Sequence, residues 1–523
     1  MESAVPDLNG RRFDVIVIGG GINGSSAAQN LAAEGYNCLV VDKEDFGSGA
    51  SGRSGRMLHI GLRFFEARNP LRHFALHPGF FLNAVRGARQ AMRGVSEHMV
   101  NAGNRIFRYR MCFPVYSDGD FKTWHLEAGL RLLSLLGGGR VSLDREIIRQ
   151  NHSKKVPFFE DFRDPDKLHS IACYNEFKFD WPERFCIDML LDAQRNGATL
   201  VNYCTAGIET RKSNGDWTVS LRDAADGRLP PVEVTAPVVL NMAGTWTDDV
   251  LPSSQDKQPL VQMTKGSHIV VELPETYNGF GIAHVNRYGE PFYVLPFHKN
   301  LFSVGVTETP FDGDATNVSC TDDEIDFLIE ECNSLLPGRR LSRKDVVSSW
   351  AGIRSLTPSE DGLETRVRML HDLTPKGYPG VFALTGGPIM SHRSTGRLLL
   401  EAVAAQLKPS GNKGQVNYEP FEFSDSGNSP SFLADEPEVR VADLENSVRR
   451  EFAKTLTDVL LRRTSLAWRR KLTLSETRSA AEIVGPLLNW SEQERRTQVE
   501  QFMAFQADVF RIPGTCDKSG GNK

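Results

Sequence analysis

The sequence predicts an α/β fold in several domains, and three patterns support this. Near the N-terminus, a short run of β-branched residues ends in glycines and is followed by an alanine-rich helical segment and a second apolar run. Between residues 267 and 305, short apolar segments look like strands of a second, more antiparallel sheet. After residue 438, turn residues become few and the chain is helical in character. A chain of 523 residues is too long for one simple core, so we expect two or three domains.

The N-terminal segment predicts a complete βαβ unit. A buried parallel strand is predicted over Phe13–Gly19, and a helix follows over Ile22–Glu34. Gly35 fits the C-cap of that helix, and Cys38–Asp42 predicts a second strand that ends in an acid.

Further elements follow along the chain. Strands are predicted over residues 198–204, 217–221, 237–241, 267–271, 292–296, 302–305 and 381–385. The last of these runs into two glycines and a helix predicted over residues 394–406, which is a second strand–glycine–helix unit. Residues 408–437 are dense in Pro, Ser, Gly, Asn and acids and predict a linker.

Composition argues against several classes of protein. The net charge of −5 and pI of about 6.2 lack the basic excess of a general nucleic-acid binder. The eight cysteines form no C-x-x-C pair, so we predict neither a metal site nor a redox dithiol. No apolar run reaches the roughly 18 residues that span a bilayer, and the polar N-terminus does not resemble a secretory signal. We therefore expect a cytoplasmic protein, either soluble or peripheral on the inner face of a membrane.

The glycines after the first strand predict a dinucleotide site. Gly19 permits a tight turn, Gly21 lets the backbone approach a pyrophosphate, and Gly24 lets helix and strand pack closely. The N-terminus of the helix supplies free N–H groups for the anion. Asp42 lies 18 residues beyond Gly24, close to the spacing of an acid that holds ribose hydroxyls.

Two later features favour FAD over NAD as the dinucleotide. The loop from Gly47 to Gly55 consists almost entirely of small residues, which let a backbone lie against an extended cofactor. Two further glycine approaches follow strands, at Gly244 and at Gly386–Gly387. Glycine contacts spread over the whole chain suit a long ligand such as FAD.

From about Phe13 to about Trp468, the sequence resembles the FAD-dependent glycerol-3-phosphate dehydrogenases, within the wider group of D-amino-acid-oxidase-like flavoproteins. RMLHIGLRFFE at residues 56–66 is similar to the family's KLIHGGLRYLE, and KGSHIVV at residues 265–271 matches outright. AGIR at residues 351–354 is similar to SGVR, TGG at residues 385–387 corresponds to FGG, and DVLLRRT at residues 458–464 resembles DVLxRRT.

The resemblance implies a Rossmann-like FAD-binding domain with an inserted antiparallel-sheet substrate domain and a C-terminal helical domain. We expect a discontinuous FAD domain at residues 12–100, 185–250 and 350–407, and a substrate or cap domain at 101–184 and 251–349. The linker at 408–437 then leads to the helical domain at 438–510. The family resemblance also implies oxidation of a small polyol phosphate, with hydride transfer from C2 of the substrate to flavin N5 and transfer of the electrons to a quinone. The ketone phosphate is the product, and for glycerol 3-phosphate this is dihydroxyacetone phosphate.

The family's substrate arginines map onto Arg63, Arg354 and Arg366, and arginine suits phosphate because its planar fork forms two parallel bonds. The hydroxyl proton needs an acceptor near neutral pH, which favours His268 as the base or oxyanion partner, with His59 orienting substrate or contacting flavin. Arg354 is included with the two histidines in the predicted catalytic set. The predicted FAD contacts are Gly19, Gly21, Asn23, Gly24, Asp42, Ser51, Ser54, Arg56, Gly244 and Gly387.

The sequence departs from the family where substrate is expected to lie. Pro388 replaces a lysine, Phe64 replaces a tyrosine, Ile60 adds bulk beside the expected flavin, and Arg53 is a new charge. His392 is predicted to contact substrate and, with Arg393, to compensate for the lost lysine.

Two questions stay open from the sequence. Residues 460–472 are basic with interleaved apolar residues, so they fit either a peripheral membrane contact or an ordinary helix face. The alternative function is a flavin oxidase or dehydrogenase acting on an amine, amino acid or hydroxy acid, and a third is a flavin-retaining protein without catalysis. The sequence does not fix the oligomeric state.

Overall fold

The computed structural model describes residues 5–65, 76, 78–101, 103–119, 121–224, 230–251, 258–358 and 367–510. The strands in chain order are β1 Val15–Ile18, β2 Cys38–Val41, β3 Met57–Leu58, β4 Ile106–Tyr116, β5 Glu146–Ile148, β6 Leu168–Phe179, β7 Thr199–Val201, β8 Cys204–Arg211, β9 Trp217–Asp223, β10 Val232–Ala236, β11 Val238–Asn241, β12 Gln262–Glu272, β13 Phe280–Val285, β14 Pro291–His298, β15 Leu301–Gly305, β16 Thr309–Pro310, β17 Val346–Leu356, β18 Met369–Asp372, β19 Val381–Thr385, β20 Ser431–Leu433 and β21 Glu436–Arg440. The helices are α1 Ile22–Glu34, α2 Pro78–Asn101, α3 Thr123–Leu136, α4 His152–Lys155, α5 Pro182–Arg195, α6 Asp322–Leu335, α7 His392–Ala404, α8 Val441–Arg449, α9 Leu466–Arg469, α10 Leu474–Val484 and α11 Glu492–Asp508.

The first sheet has six strands in the order β18-β19-β11-β1-β2-β7, parallel except for β18. Helices α1, α5 and α7 cover one face, and the antiparallel sheet β10-β9-β8 covers the other. The predicted βαβ unit is confirmed: α1 has the predicted bounds, and Gly35 caps it with φ 100°. All four residues of β1 and of β2 are buried, as expected for central parallel strands.

The second sheet has ten strands in the order β16-β12-β15-β14-β13-β4-β6-β3, with β17 beside β12 and β5 beside β6. Its pairings are antiparallel except for β13 with β4, so the predicted antiparallel character is confirmed. Helices α2 and α3 pack on one face of this sheet and α6 on the other.

Three sequence predictions about elements need correction. The strand predicted over residues 198–204 is two strands, because Tyr203 adopts a left-handed backbone (φ 55°) between β7 and β8. The sequence also missed β4 and β6, whose charged residues interrupt the apolar pattern although Glu176 and Lys178 are buried in the fold. The helix predicted over residues 394–406 begins two residues earlier, at His392, and ends at Ala404.

The segment predicted as a linker lies against the first sheet's helices. Gly411 and Gly414 donate backbone hydrogen bonds to the carbonyls of Gly35 and Ala33, at 2.8 and 2.7 Å. Asn417 N–H donates to Asp192 on α5 at 2.8 Å. The last part of the segment forms the hairpin β20–β21.

The basic stretch at residues 460–472 is largely buried, so the structure supports neither of its two interpretations, a peripheral membrane contact or an ordinary helix face. It begins in the π-helical turn Asp458–Arg463, whose residues are all buried. Leu466 and Leu472 are also fully buried in the core of the C-terminal helices. In the described part of the chain, no helix combines the length and apolarity needed to cross a bilayer.

Candidate active site

A cavity of about 610 Å³ runs from the carboxyl ends of β1, β2 and β11 to the second sheet. The carboxyl edge of a parallel sheet is where such folds hold nucleotides. The cavity is lined at one end by the glycine turn and at the other by residues of β12, β15 and β17. It therefore joins segments from distant parts of the chain, as the spread of glycines in the sequence predicts.

The glycine turn is tightly built. A β-carbon at Gly24 would overlap the carbonyl oxygen of Gly19, and one at Gly19 would overlap the carbonyl oxygen of Met242. Gly19, Gly21 and Asn23 line the cavity, whereas Gly24 lies behind it at the contact between helix and strand. Gly24 thus has the packing role that the fingerprint predicts for its third glycine.

Asp42 lies at the end of β2 and lines the cavity. Its carboxylate accepts hydrogen bonds from the backbone N–H groups of Gly20 at 2.7 Å and Glu44 at 3.0 Å. Burial raises the pKa of Asp42 to about 7. These two backbone contacts fix the carboxyl group at the cavity wall, where its oxygens can accept hydrogen bonds from sugar hydroxyls.

The sequence did not predict one contact at this end of the cavity, between Lys43 and Trp246. The Lys43 ammonium lies 3.6 Å from the ring centroid of Trp246, and both residues line the cavity beside Gly244. An aromatic ring two residues after the predicted glycine approach was the available signal. The pair forms a wall of the cavity held by a cation–π contact.

The small-residue loop forms one side of the cavity. Ser51 and Ser54 line it, and Ser51 Oγ accepts a hydrogen bond from Ile22 N–H at 2.9 Å. Arg53, the new charge of the sequence, donates to the carbonyls of Val318 and Thr316 at 3.0 and 3.2 Å. Arg53 thereby joins this loop to the segment between β16 and α6.

His268 on β12 lines the far end of the cavity. Its ring stacks on Trp350 with centroids 4.7 Å apart and planes 16° apart. Burial, together with Arg354 and Arg56, lowers the pKa of His268 to about 3. The imidazole is therefore neutral at physiological pH, and at this pKa it is a weak proton acceptor.

Arg354 on β17 lies beside the same strand. β17 and β12 pair so that Arg354 faces Thr264, and a β-carbon at Gly266 would overlap the guanidinium. Gly266 therefore provides the space in which the guanidinium rests. Arg354 and His268 both line the cavity, so the structure brings these two predicted residues together.

His59 also lines this end, with its ring edge-on to Phe64 at 5.5 Å. Ile60 does not line the cavity: its side chain is fully buried in the core under the second sheet. The prediction that Ile60 adds bulk beside the flavin is not supported, because its side chain points into that core. Pro388 does line the cavity, next to Gly387.

His392 lies outside the cavity lining, contrary to its predicted role. It is buried with Nε2 3.3 Å from Nε2 of His98, and its Nδ1 lies 2.9 Å from the carbonyl oxygen of Ile389. Arg393 donates to the carbonyl oxygen of Glu97 at 2.6 Å and stacks on Tyr418. Both side chains are committed to the core, so this geometry does not support their replacing the lost lysine.

For the two other predicted substrate arginines, the structure describes the backbone of Arg63 alone. The backbone of Arg63 lies in the 3-10 turn Leu62–Phe65, beside Phe64, and its side chain falls outside the described part of the structure. Arg366 lies outside the described residues.

The residues of this cavity fit FAD. The glycine turn, the N-terminus of α1 and Asp42 suit the pyrophosphate and ribose, and the small-residue loop leaves space along the cavity. The remaining end, with Arg56, His59 and His268, suits the redox-active ring system.

Comparison with known proteins agrees with this geometry. Residues 14–402 match the family model described as FAD dependent oxidoreductase, and residues 415–495 match the C-terminal domain of alpha-glycerophosphate oxidase. A glycerol-3-phosphate dehydrogenase of Synechocystis sp. is 29% identical over 425 residues, covering 77% of this chain and 72% of the relative. A D-erythritol 1-phosphate dehydrogenase of Brucella abortus is 27% identical, covering 78% and 79%.

The fold is also found in solved structures. The glycerol-3-phosphate dehydrogenase from Bacillus halodurans, complexed with FAD, superposes with a TM-score of 0.70 and 18% identity over 98% of each chain. The L-alpha-glycerophosphate oxidase from Mycoplasma pneumoniae has a TM-score of 0.57 and 15% identity, covering 79% of this chain and 100% of that one. With its FAD cofactor and its resemblance to the glycerol-3-phosphate dehydrogenases, the chain belongs to the FAD dependent oxidoreductase family.

Proposed function

We propose that this enzyme oxidises glycerol 3-phosphate or a related polyol phosphate at C2 and passes the electrons to a quinone. One observation carries the proposal: neighbouring strands present a cation, Arg354, and a neutral imidazole, His268, at the same end of the cavity. A polyol phosphate needs a cation for its phosphate and a proton acceptor for its hydroxyl. Relatives named for glycerol 3-phosphate and D-erythritol 1-phosphate support this substrate class.

The cavity residues from the glycine turn to Arg56 would hold FAD, which when bound would supply the acceptor for the hydride of the C2–H bond. His268 accepts the hydroxyl proton as the C2 carbonyl forms, giving the ketone phosphate. A quinone would take up the two electrons and two protons that the oxidation of the alcohol releases. Arg354, with Arg63 and Arg366, holds the phosphate, and His59 orients the substrate. A phosphate dianion beside Arg354 offsets that cation and so raises the proton affinity of His268.

The identity of the polyol is set by the departures from the family. Pro388 and Phe64 line the cavity but supply neither a charge nor a hydroxyl. We infer that fewer groups hold the phosphate than in the family at large, so that glycerol 3-phosphate competes with longer polyol phosphates.

Anaerobic reduction of the bound flavin tests the proposal. Glycerol 3-phosphate or D-erythritol 1-phosphate should bleach the flavin absorbance, whereas glycerol and erythritol should not. Re-oxidation of the reduced enzyme by a short-chain quinone should be faster than by oxygen. If phosphorylated polyols leave the flavin oxidised while an amine, an amino acid or a hydroxy acid reduces it, the alternative substrate class replaces this one.

A further inference from the structure

A stack of aromatic rings connects the C-terminal helices to the cavity. His268 stacks on Trp350, and Trp350 meets the ring of Trp468 edge-on with centroids 5.5 Å apart. Trp468 belongs to α9, and on its other side it packs against Phe510 at 4.8 Å. Trp468 is 7% exposed, so the stack is shielded from water.

Arg56 is the second cavity residue that reaches this stack. Its guanidinium carbon lies 4.4 Å from the ring centroid of Trp468 and 4.6 Å from that of Phe297. Nη1 donates to the carbonyl oxygen of Asp180 at 2.8 Å. Nε and Nη2 are buried and make no hydrogen bond to any residue that the structure describes.

The position of Arg56 therefore depends on ring contacts more than on hydrogen bonds. Burying a cation without a full set of hydrogen bonds is costly, and the two aromatic faces offset part of that cost. The orientation of Trp468 is itself fixed, because its indole N–H donates to Glu183 Oε1 at 2.8 Å. The charge of Arg56 is held at the cavity wall by a side chain from another part of the chain.

From these contacts we propose that Trp468 is a positioning residue for the active site, which orients Arg56 directly and His268 through Trp350. This inference rests on the proposed function in placing the chemistry at the end of the cavity that Arg56 and His268 line. The C-terminal helices thereby contribute to catalysis through a ring that itself lies outside the main cavity. Arg56 supplies a positive charge there, which the nearby Glu183 and Asp180 carboxylates partly offset, and this charge disfavours a charged His268.

Sulfite binding by the FAD-loaded enzyme tests this without any substrate. Sulfite is an anion that adds to oxidised flavin, and its affinity reports positive charge near the ring. Trp468→Phe keeps an apolar ring but removes the N–H bond to Glu183 and part of the cation–π contact, so sulfite should bind about tenfold more weakly. Phe502→Leu is the matched control, because Phe502 is fully buried in the same C-terminal core but contacts neither Arg56 nor Trp350 among the described rings.

The control should lower the thermal midpoint and leave sulfite affinity unchanged. If Trp468→Phe fails to retain flavin, Arg56→Gln provides the second variant, and it should weaken sulfite binding at least as much because it removes the charge that Trp468 is proposed to hold in place. Sulfite affinity within twofold of the wild-type value in the folded Trp468→Phe enzyme, or in Arg56→Gln if the first variant loses its flavin, overturns the inference.

The proposed function and the positioning role of Trp468 can be refuted independently of each other. If phosphorylated polyols do not reduce the flavin but Trp468→Phe still weakens sulfite binding, only the proposed function falls. If polyol phosphates do reduce it, the kcat/KM profile of Trp468→Phe should shift along the pH axis, while that of Phe502→Leu stays in place. A fall in kcat without that shift, and with unchanged sulfite binding, reduces Trp468 to a structural residue.

Discussion

At the scale of the residue, the nucleotide turn depends on two close contacts between glycines and backbone carbonyl oxygens. Gly24 packs against the carbonyl oxygen of Gly19, and Gly19 against that of Met242, so neither position has room for a side chain. This contact was predictable from spacing alone, because the fingerprint requires close helix–strand packing at its third glycine. The displacement of His392 was not, because the sequence does not show that Ile389 and His98 bind both of its nitrogens in the core.

Replacing Gly24 with alanine tests the turn. The added methyl group overlaps Gly19 O, so α1 must shift and we expect loss of bound FAD together with a lower thermal midpoint. The measurement is the ratio of flavin to protein absorbance after purification. Gly427→Ala is the control, because a β-carbon at Gly427 has no neighbour within 4 Å. Normal flavin content in Gly24→Ala would contradict the tight turn.

Pro388 provides a prediction about substrate. Its backbone (φ −72°, ψ 146°) accommodates other residues, so Pro388→Lys should fold and place a cation at the cavity wall. A charge-assisted hydrogen bond contributes about 1.5–3 kcal/mol, so KM for a polyol phosphate should fall at least about tenfold. Pro388→Met has similar length without the charge and should not lower KM. Equal effects of the two substitutions would show that charge is not what Pro388 removed.

Among the elements, the C-terminal helices join the nucleotide domain through several buried polar contacts, and the Asp45 carboxylate accepts the most hydrogen bonds from arginines among them. Asp45 follows β2 and accepts hydrogen bonds from Arg462 Nε at 2.6 Å and from Arg463 Nη1 and Nη2 at 2.7 and 2.8 Å. Burial opposes ionisation, but the guanidinium groups of Arg463 and Arg462 hold the pKa of Asp45 well below its usual range. This network accounts for the burial of Arg462 and Arg463, two charged side chains of the basic stretch.

Asp45→Asn should release this junction. Removing one partner of a buried charge network costs about 3–5 kcal/mol, because the two guanidinium groups lose their shared carboxylate. We expect a lower denaturation midpoint and faster proteolysis between residues 408 and 437, measured by chemical unfolding and limited trypsin digestion. Asp326→Asn breaks the exposed pair with Arg343 and should change stability by less than about 1 kcal/mol. Similar losses in the two variants would argue against the network.

Elements with a clean pattern were predictable, and elements with buried charges were not. The buried strands β1, β2, β11 and β19 are short apolar runs, so the sequence places them within a few residues. β6 escaped prediction because Glu176 accepts the Ile60 N–H and Lys178 donates to the Phe297 carbonyl, contacts that exist only in the folded chain. The cavity's redox end was located through family motifs, whereas Trp468 was not, because its role depends on tertiary contact.

The whole molecule buries several histidines in the neutral form. Burial lowers the pKa of His392 and of His268 to about 3 and that of His284 to about 4, and it lowers that of His98 as well. An unfolded chain protonates its histidines near pH 6.5, whereas the folded chain does not. The stabilising contribution is therefore complete above about pH 6.5 and is lost as pH falls toward the folded pKa values.

His392→Asn tests this dependence. Protonation of each such histidine in the unfolded chain lowers the free energy of unfolding by roughly 1 kcal/mol between about pH 7 and pH 5.5. The free energy of unfolding of the variant should therefore fall less steeply over this range than that of the wild type. Urea unfolding at several pH values gives the slopes, and comparing them cancels opposing groups such as the buried Asp42. His169→Asn, at an exposed position, should keep the wild-type slope. An unchanged slope in His392→Asn would show that His392 takes up a proton in the folded state.

The order of strands in the first sheet has a consequence for the newborn chain. β1 leaves the ribosome early, but its neighbour β11 begins at Val238, and β19, the next strand across, begins at Val381. At a synthesis rate of about 5–20 residues per second, β11 follows β1 out of the ribosome on the order of ten seconds or more later. Within this chain the nucleotide turn is thus translated long before the strands that complete its sheet, and its apolar residues stay unpaired on that side until then.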